Sequence, residues 1–321
     1  MQKIYKPIKH NSVEEILLTN CSTYEKNLKQ IYMPIKKELD EVEKELKKQV
    51  RSIIVQCSKF NHSLHTAVKF NVEQIFNHFF KIPGKRLRPA LVILSAKSVN
   101  SGVSSVDRRL IQLAAAVELI HNASLIHDDI VDDASFRRGQ LSLNKQFGNQ
   151  IAVLVGDMIY TRALLLLINN LDKKIFNILL ECVEEMCCGE LNELRIINHK
   201  PRTTEYLKII GDKTASFMSA CCKCGAMLNG ADKKLSEALA NYGFNFGMAY
   251  QIIDDYIDGD NLKNVVRAFS LANKFASMAK LSIKDLKSSI YKEKLYDLVD
   301  HVLIQLKVKT ETEFIEENTA K

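Results

Sequence analysis

The sequence predicts an all-α protein. Glycine and proline number only 12 and 5 in 321 residues, so turns must be few and elements long. Apolar residues recur at three- and four-residue spacing along most of the chain. No credible pair of strands shows as alternating apolar and polar residues between turn signals.

The elements follow in order. Ser12 with Glu15 forms a capping box that opens a short helix through Ile16 and Leu17. A stronger helix starts near Pro34, a residue tolerated in a first turn. Its apolar stripe is Ile35, Leu39, Val42, Leu46 and Val50. Residues 51–80 are helical but irregular, with apolar Ile53, Ile54, Val68, Ile75 and Phe79. Pro83-Gly84 breaks the chain just before a basic cluster, and a helix follows Pro89. The next helix begins near Ser104 and runs through Leu113, Ala116, Leu119 and Ile120. It is apolar on nearly every side, as a helix at the centre of a bundle would be. Further helical patterns cover 147–170, 174–198, 203–229, 232–258 and 262–308. The organisation expected is an N-terminal extension over 1–30, one helical domain over 31–308 and a polar, fraying tail over 309–321.

Charge and cysteine usage narrow the function classes. The net charge of +7 is small for this length and spread along the chain. Lys36, Lys37, Lys44, Lys47 and Lys48 interleave with Glu38, Asp40, Glu41, Glu43 and Glu45, which makes a solvated helix face and not a nucleic-acid patch. Among eight cysteines, Cys221-Cys222-Lys223-Cys224 lacks the paired spacing of a zinc site. It and Cys187-Cys188 read as small buried helix residues. With no disulfide framework, a reducing compartment is expected. No apolar run approaches a membrane span, and Glu14 and Glu15 stand where a signal core would be, so no transmembrane segment and a cytoplasmic protein are expected.

The chemistry concentrates in aspartates. In Asp128-Asp129-Ile130-Val131-Asp132-Asp133, helical geometry stacks Asp128 and Asp132 on one face. Like charges there cost only about 0.2–0.5 kcal/mol when exposed. Beside an apolar core the cost grows unless a cation neutralises them. Oxygen ligands that leave room for water and phosphate are what magnesium prefers. Alone, a solvated helix end explains the cluster equally well. Asp254-Asp255-Tyr256-Ile257-Asp258 repeats the spacing after an apolar helix with Tyr242, Phe246, Tyr250 and Ile253. Two such faces set opposite each other would clamp several metals on one polyanion, so Mg2+ and a diphosphate are expected.

Cations accompany both clusters. Gly84-Lys85-Arg86-Leu87-Arg88-Pro89 sits at the mouth of a helix, Arg137-Arg138-Gly139 follows the first cluster, and Lys213-Thr214 adds a cation and a hydroxyl. Lysine and arginine bind phosphate oxygens, arginine often through two parallel bonds. Arg108-Arg109 reads as ordinary surface charge. His121 lies about two turns before Asp128 on the same face and is as readily structural as functional.

Together these residues resemble the trans-isoprenyl diphosphate synthase (polyprenyl synthetase) family. The resemblance runs over about 30–258 and returns in the C-terminal helices. It is carried by Gly84–Pro89, Ile120–Asp129, Arg137–Gly139, Val155-Gly156-Asp157, Gly211–Ala215 and Tyr250–Asp255. It implies an isoprenoid-synthase-type helical bundle around a central apolar tunnel, usually a homodimer. It implies a head-to-tail condensation of an allylic diphosphate with isopentenyl diphosphate. By the same resemblance Lys85, Arg88, His121 and Arg138 match the isopentenyl diphosphate site. Arg137, Lys213, Thr214 and Gln251 match the allylic diphosphate site, and Asp128, Asp132 and Asp254 the magnesium ligands. Lys213 joins these three aspartates as a catalytic group. Small Ala123 and Ser124 before the first cluster imply a product longer than farnesyl, because family members with short products carry large residues there.

One stretch departs from the family. After Asp258 the family continues through a substantial segment with two Gly-Lys elements, whereas this chain passes from Gly259-Asp260 almost directly to Val265–Leu281. An apparent deletion after 260 is therefore expected to remove one lysine near the allylic diphosphate. The alternatives are a catalytically weak or regulatory subunit of a heteromeric synthase, or a class I terpene cyclase. The cyclase is disfavoured because Asp254–Asp258 is intact where cyclases usually carry another motif.

Overall fold

The computed structural model describes residues 27–58, 71–100, 107–196, 201–259 and 265–319, with side chains to 305. The capping box at Ser12, Val68 and Ser104 lie outside the described residues. Helices α1 (Lys36–Ser58), α2 (Val72–Phe80), α3 (Leu87–Val99) and α4 (Arg108–Val131) come first. A two-residue hairpin, β1 (Phe136–Arg137) and β2 (Gln140–Leu141), separates them from α5 (Leu143–Phe147), α6 (Asn149–Asn170) and α7 (Lys173–Ile196). Then come α8 (Thr203–Ile210), a π turn (Gly211–Ala215), α9 (Ser216–Leu228), α10 (Lys233–Asp258), α11 (Val265–Ser282) and α12 (Ile290–Thr319). The protein is all-α apart from that hairpin.

Two compact units emerge, one over 35–180 and 224–230, the other over 1–34, 181–223 and 231–321. In the first, α4 buries every residue from Leu110 to Ile120, as its all-round apolar sequence predicts for a central helix. α1, α3 and α6 pack on it. The stripe of α1 is displaced from its expected register: Ile35, Val42, Leu46 and Ile53 are buried with Glu38 and Gln49, while Leu39 and Val50 are only half-buried. Glu38 is accommodated because Lys97 on α3 bonds it. A Cβ at Gly225 would stand 2.3 Å from the Val92 carbonyl oxygen, so glycine sets the approach of α9's end to α3.

In the second unit α10 is the packed helix. Tyr242 and Phe246 stack at 5.9 Å, and the Tyr242 hydroxyl donates to the Leu295 carbonyl of α12 at 2.6 Å. α11 packs on α10 and buries Ala268, Ala272, Ala276 and Ala279, a stripe with an i, i+4 or i+3 repeat.

Several expectations need correction. The described part of the central helix starts at Arg108, where Asp107 caps it by accepting from the Arg109 N–H. The helix expected over 147–170 runs from Asn149 to Asn170, its start set by Gly148 at φ +93°, which only glycine adopts readily. The pattern at 203–229 is three pieces, because the π turn interrupts it. That at 262–308 is two helices, separated by a turn in which the Ser289 hydroxyl accepts from the Lys292 N–H. The hairpin, unforeseen, turns on Arg138 and Gly139, both with positive φ, the backbone a tight two-residue turn requires. Cys187 and Cys188 are exposed, since they fall on the open side of α7; Cys221, Cys222 and Cys224 are buried as expected. Two helices, Arg108–Val131 and Asn149–Asn170, do have the length and apolar content of a span; the first owes them to its core position. The polar tail stays helical to Thr319, consistent with the strong helix formers Lys and Glu in it.

α10 meets α9 at Gly243, where a Cβ would lie 2.4 Å from the Met218 carbonyl oxygen and 2.9 Å from the Cys222 sulfur. Gly243→Ala gains helix propensity of up to about 1 kcal/mol but collides with backbone, which costs about 1–3 kcal/mol or more. The net expectation is a loss of about 1–2 kcal/mol, read as a lower urea midpoint at unchanged m-value.

Candidate active site

Both acidic clusters occupy the last turn of a long helix. Asp128 and Asp129 lie in the final turn of α4, and Asp132 caps it; Asp254, Asp255 and Asp258 close α10, which Gly259 caps in the left-handed conformation. Helix C-termini already carry partial negative charge from unpaired carbonyls, so carboxylates there are unfavourable. Cations or hydrogen-bond donors from neighbouring elements offset this. Each unit has its own solution.

In the first unit Asp128 is half-buried, Asp132 exposed and Asp129 buried at 1%. Arg137 bonds Asp129 through Nε at 2.8 Å and through Nη2. Burial pushes the Asp129 carboxyl up, with the Arg137 bonds opposing it. Asn144 donates to the Asp129 carbonyl, and Lys145 to Asp133. The hairpin thus aims Arg137 at the helix end, while Arg138 reaches back to the Ile82 carbonyl at 3.0 Å. Its guanidinium passes over Gly84, where a Cβ would stand 2.7 Å from Nη2.

Beneath these arginines lies Glu118, 2% exposed and one turn before His121. Arg86 donates to it at 2.7 Å and grips Glu43 of α1 on its other side. Burial pushes the Glu118 carboxyl up, against the pull of Arg86, Arg88 and Arg138. Burial, and then the charges of Arg88, Arg138, Arg137 and Arg86, hold His121 well below its usual range, so it is a neutral imidazole facing a cationic cluster. The structure therefore brings Arg88, His121 and Arg138 together around Glu118. Lys85 is exposed beside them in sequence. Arg86, Asp133 and Arg138 are the non-glycine residues with positive φ among those described; the two arginines belong to this cluster, and Asp133 follows the end of α4. Such strain, of order 1–3 kcal/mol each, persists where surrounding contacts over-determine it and collects at functional sites.

His127, adjacent to Asp128, explains Val155-Gly156-Asp157. Its ring fills the space a Cβ at Gly156 would need, 2.2 Å from Nε2, and it approaches Asp157 at 3.5 Å.

In the second unit the π turn presents Lys213 and Thr214. Gly247 of α10 admits the turn, since its Cβ would sit 2.7 Å from the Ala215 Cα. Lys213 is bonded to Glu190 at 2.6 Å and to Glu193, both on α7. Burial disfavours its charge, but the two glutamates outweigh that and raise it above its ordinary value. Thr214 donates to Gln251 Oε1 at 2.9 Å, so these two expected neighbours do meet. Gln251 donates to Asp255 at 2.7 Å, and Tyr206 donates to the other Asp255 oxygen at 2.6 Å. Asp254 is half-buried.

Sequence reasoning missed Glu118, Glu190, Glu193 and Tyr206, and it named Asp129 and Asp255 within their clusters without a role. Glu118 carried one usable signal, a lone carboxylate inside an apolar helix, which must have a partner. Glu190, Glu193 and Tyr206 had none, because their partners are distant in sequence.

Among the described residues no three His, Cys, Asp or Glu side chains form a cage for a metal ion. That donor set fits magnesium, which binds through one or two carboxylates and completes its shell with water and substrate phosphate. Asp128 with Asp132, and Asp254, offer such oxygens; they do not suit a metal that needs sulfur or imidazole.

This helical protein ends two core helices in aspartates, and arginines bond beside one of them. The polyprenyl synthetase family model matches residues 70–265, and the chain belongs to that family. It is 38% identical over 177 residues to octaprenyl diphosphate synthase of Escherichia coli, covering 54% of this chain and 53% of that protein. It is 32% identical over 231 residues to heptaprenyl diphosphate synthase component 2 of Bacillus subtilis, covering 72% of this chain and 61% of the relative. The chain thus spans between half and two thirds of the length of these relatives. Its fold matches a polyprenyl synthase from Caulobacter crescentus, crystallised with calcium and isoprenyl diphosphate, at TM-score 0.73 and 23% identity over 86% of this chain and 97% of that one. That places the fold in the isoprenoid-synthase helical class.

Glu118→Gln removes the buried charge that offsets Arg86, Arg88 and Arg138 while keeping one acceptor for Arg86. It should cost about 3 kcal/mol, the low end for breaking a buried pair. Chemical unfolding monitored by circular dichroism would measure the loss.

Proposed function

We propose that this chain is a magnesium-dependent prenyltransferase that condenses isopentenyl diphosphate with an allylic diphosphate into a polyprenyl diphosphate. The observation that carries the reading is the placement of both aspartate clusters at helix C-termini, where the helix itself disfavours them and a metal–diphosphate complex compensates. Family membership and the named relatives support it.

Lys85, Arg88, His121 and Arg138 hold the diphosphate of isopentenyl diphosphate. His121, kept neutral by burial and its arginines, serves there as a hydrogen-bond partner and not as a further cation. Arg137, Lys213, Thr214 and Gln251 hold the allylic diphosphate. Arg137 and Lys213 are already bonded to carboxylates, Asp129 and the Glu190–Glu193 pair, so they stand oriented before substrate binds. Magnesium bound through Asp128, Asp132 and Asp254 supplies neutralisation of the departing diphosphate. Lys213 stabilises the same leaving group as the allylic carbon–oxygen bond ionises. The double bond of isopentenyl diphosphate attacks the cation, and the released diphosphate takes the proton.

Ala123 is buried and Ser124 spends its hydroxyl on the His121 carbonyl, so neither places a bulky side chain before the first cluster. This supports a product longer than farnesyl.

A regulatory or weak subunit of a heteromeric synthase is the second reading. α11 begins at Val265, only a short link after Asp258 ends α10, which agrees with the apparent deletion after 260. The Bacillus subtilis relative is itself named as one component.

A homodimer is the association we propose. α6 leaves Val153, Leu154 (62% exposed), Leu165 and Ile168 (59%) outward, an apolar face that a second copy would bury. A cytoplasmic location completes this reading.

Purified protein incubated with Mg2+, labelled isopentenyl diphosphate and allylic primers should yield prenyl diphosphates longer than farnesyl; a farnesyl-only product would refute the length reading. Elongation only when a partner chain is added would favour the subunit, and a hydrocarbon product the cyclase. Asp128→Asn should lower kcat at least 100-fold, on the order of 3 kcal/mol of transition-state stabilisation. For the association, Leu154→Glu with Ile168→Glu should convert a dimer into a monomer by light scattering; a wild-type monomer would sink that part.

A further inference from the structure

We infer that Tyr206 is a positioning residue for the diphosphate- and metal-binding end of α10, acting through Asp255 and Gln251. This rests on the prenyl-diphosphate reading above.

Asp255 stands between Asp254 and Asp258 in a helix end crowded with carboxylates. Its two oxygens are both engaged: Oδ2 accepts from the Tyr206 hydroxyl at 2.6 Å and Oδ1 from Gln251 Nε2 at 2.7 Å. The Gln251 carboxamide is thereby oriented, because Nε2 serves Asp255 while Oε1 accepts from Thr214 Oγ1 at 2.9 Å. One continuous chain, Tyr206–Asp255–Gln251–Thr214, ties α8, α10 and the π turn together. Its far end lies next to Lys213.

The bond is of the strong kind. A hydroxyl donating to a carboxylate at this distance is charge-assisted, and Tyr206 is buried, so water competes poorly for it. The tyrosine reaches Asp255 from α8, a short helix that runs directly into the π turn. Pinning it to α10 fixes the turn that presents Lys213 and Thr214. Without the hydroxyl, Asp255 lacks one donor and can rotate towards Asp254 or Asp258. It then adds like charge at the helix end or competes for the cation, and Gln251 loses its fixed orientation.

Tyr206→Phe keeps the ring and removes only the donor. Two readouts test it in the full-length chain: calorimetric binding of Mg2+ with inorganic pyrophosphate, and steady-state kinetics in both substrates. The variant should bind Mg2+–pyrophosphate about tenfold more weakly, the loss expected for one hydrogen bond to a charged group. KM for the allylic diphosphate should rise by a similar factor, with KM for isopentenyl diphosphate unchanged and the thermal midpoint close to that of the wild type. Asp255→Asn should show the same pattern, and the double variant should be no worse than Asp255→Asn alone. Should Tyr206→Phe fail to fold, Asp255→Asn carries the same test.

Wild-type affinity in Tyr206→Phe, additive losses in the double variant, or no binding of Mg2+–pyrophosphate to the wild type would overturn the assignment. Normal binding that depends on Tyr206, without any prenyl transfer, would overturn the activity reading and leave the positioning role standing.

Discussion

Carboxylates gathered at helix C-termini are the constraint on which this protein is organised. A helix end already projects unpaired carbonyls, so each aspartate placed there raises the local negative potential. The chain does this twice, at the ends of α4 and α10. Both helices are the packed centres of their units, so the aspartates cannot escape by unwinding without disturbing the core. The charge has to be met from elsewhere. Arg137 meets part of it in the first unit; in the second, hydrogen-bond donors from Tyr206 and Gln251 settle Asp255.

The counter-charges are themselves supported from below. Arginines near a substrate anion repel one another until the anion arrives, and a buried carboxylate lessens that repulsion. Glu118 does so for Arg86, Arg88 and Arg138, and Glu190 with Glu193 do so for Lys213. Both arrangements hold the cations in place through buried or half-buried carboxylates. Left-handed Arg86, Asp133 and Arg138, together with the π turn at Gly211–Ala215, are the backbone distortions this arrangement entails. Gly84, Gly156 and Gly247 are the positions that let side chain or backbone come close enough.

Elements whose identity follows from local pattern were readable in advance. The all-round apolar run before Asp128 predicts a central helix, and α4 is one. Small residues near 220–227 predict close burial, and Cys221, Cys222 and Cys224 have it. Elements that depend on conformations rare for their residue type were not readable. Arg138 gives no sign that it adopts positive φ, so the hairpin was hidden, and Gly211–Ala215 looks like ordinary helix until Ala215 is seen against Gly247. Cys187 and Cys188 resemble the buried cysteines in sequence but fall on the open side of α7.

By itself the sequence determined the two aspartate clusters, the cations beside them and their membership of one family, because these are short-range patterns of residue type and spacing. It could not say how each member of a cluster is surrounded. Asp128 and Asp129 are indistinguishable on paper, yet one is half-buried and the other sealed against Arg137. Asp254 and Asp255 differ likewise only once Tyr206 is seen to reach the second. Only the tertiary structure decided these roles, since a helix rotates successive residues by about 100° and neighbouring elements determine which of them meets a donor.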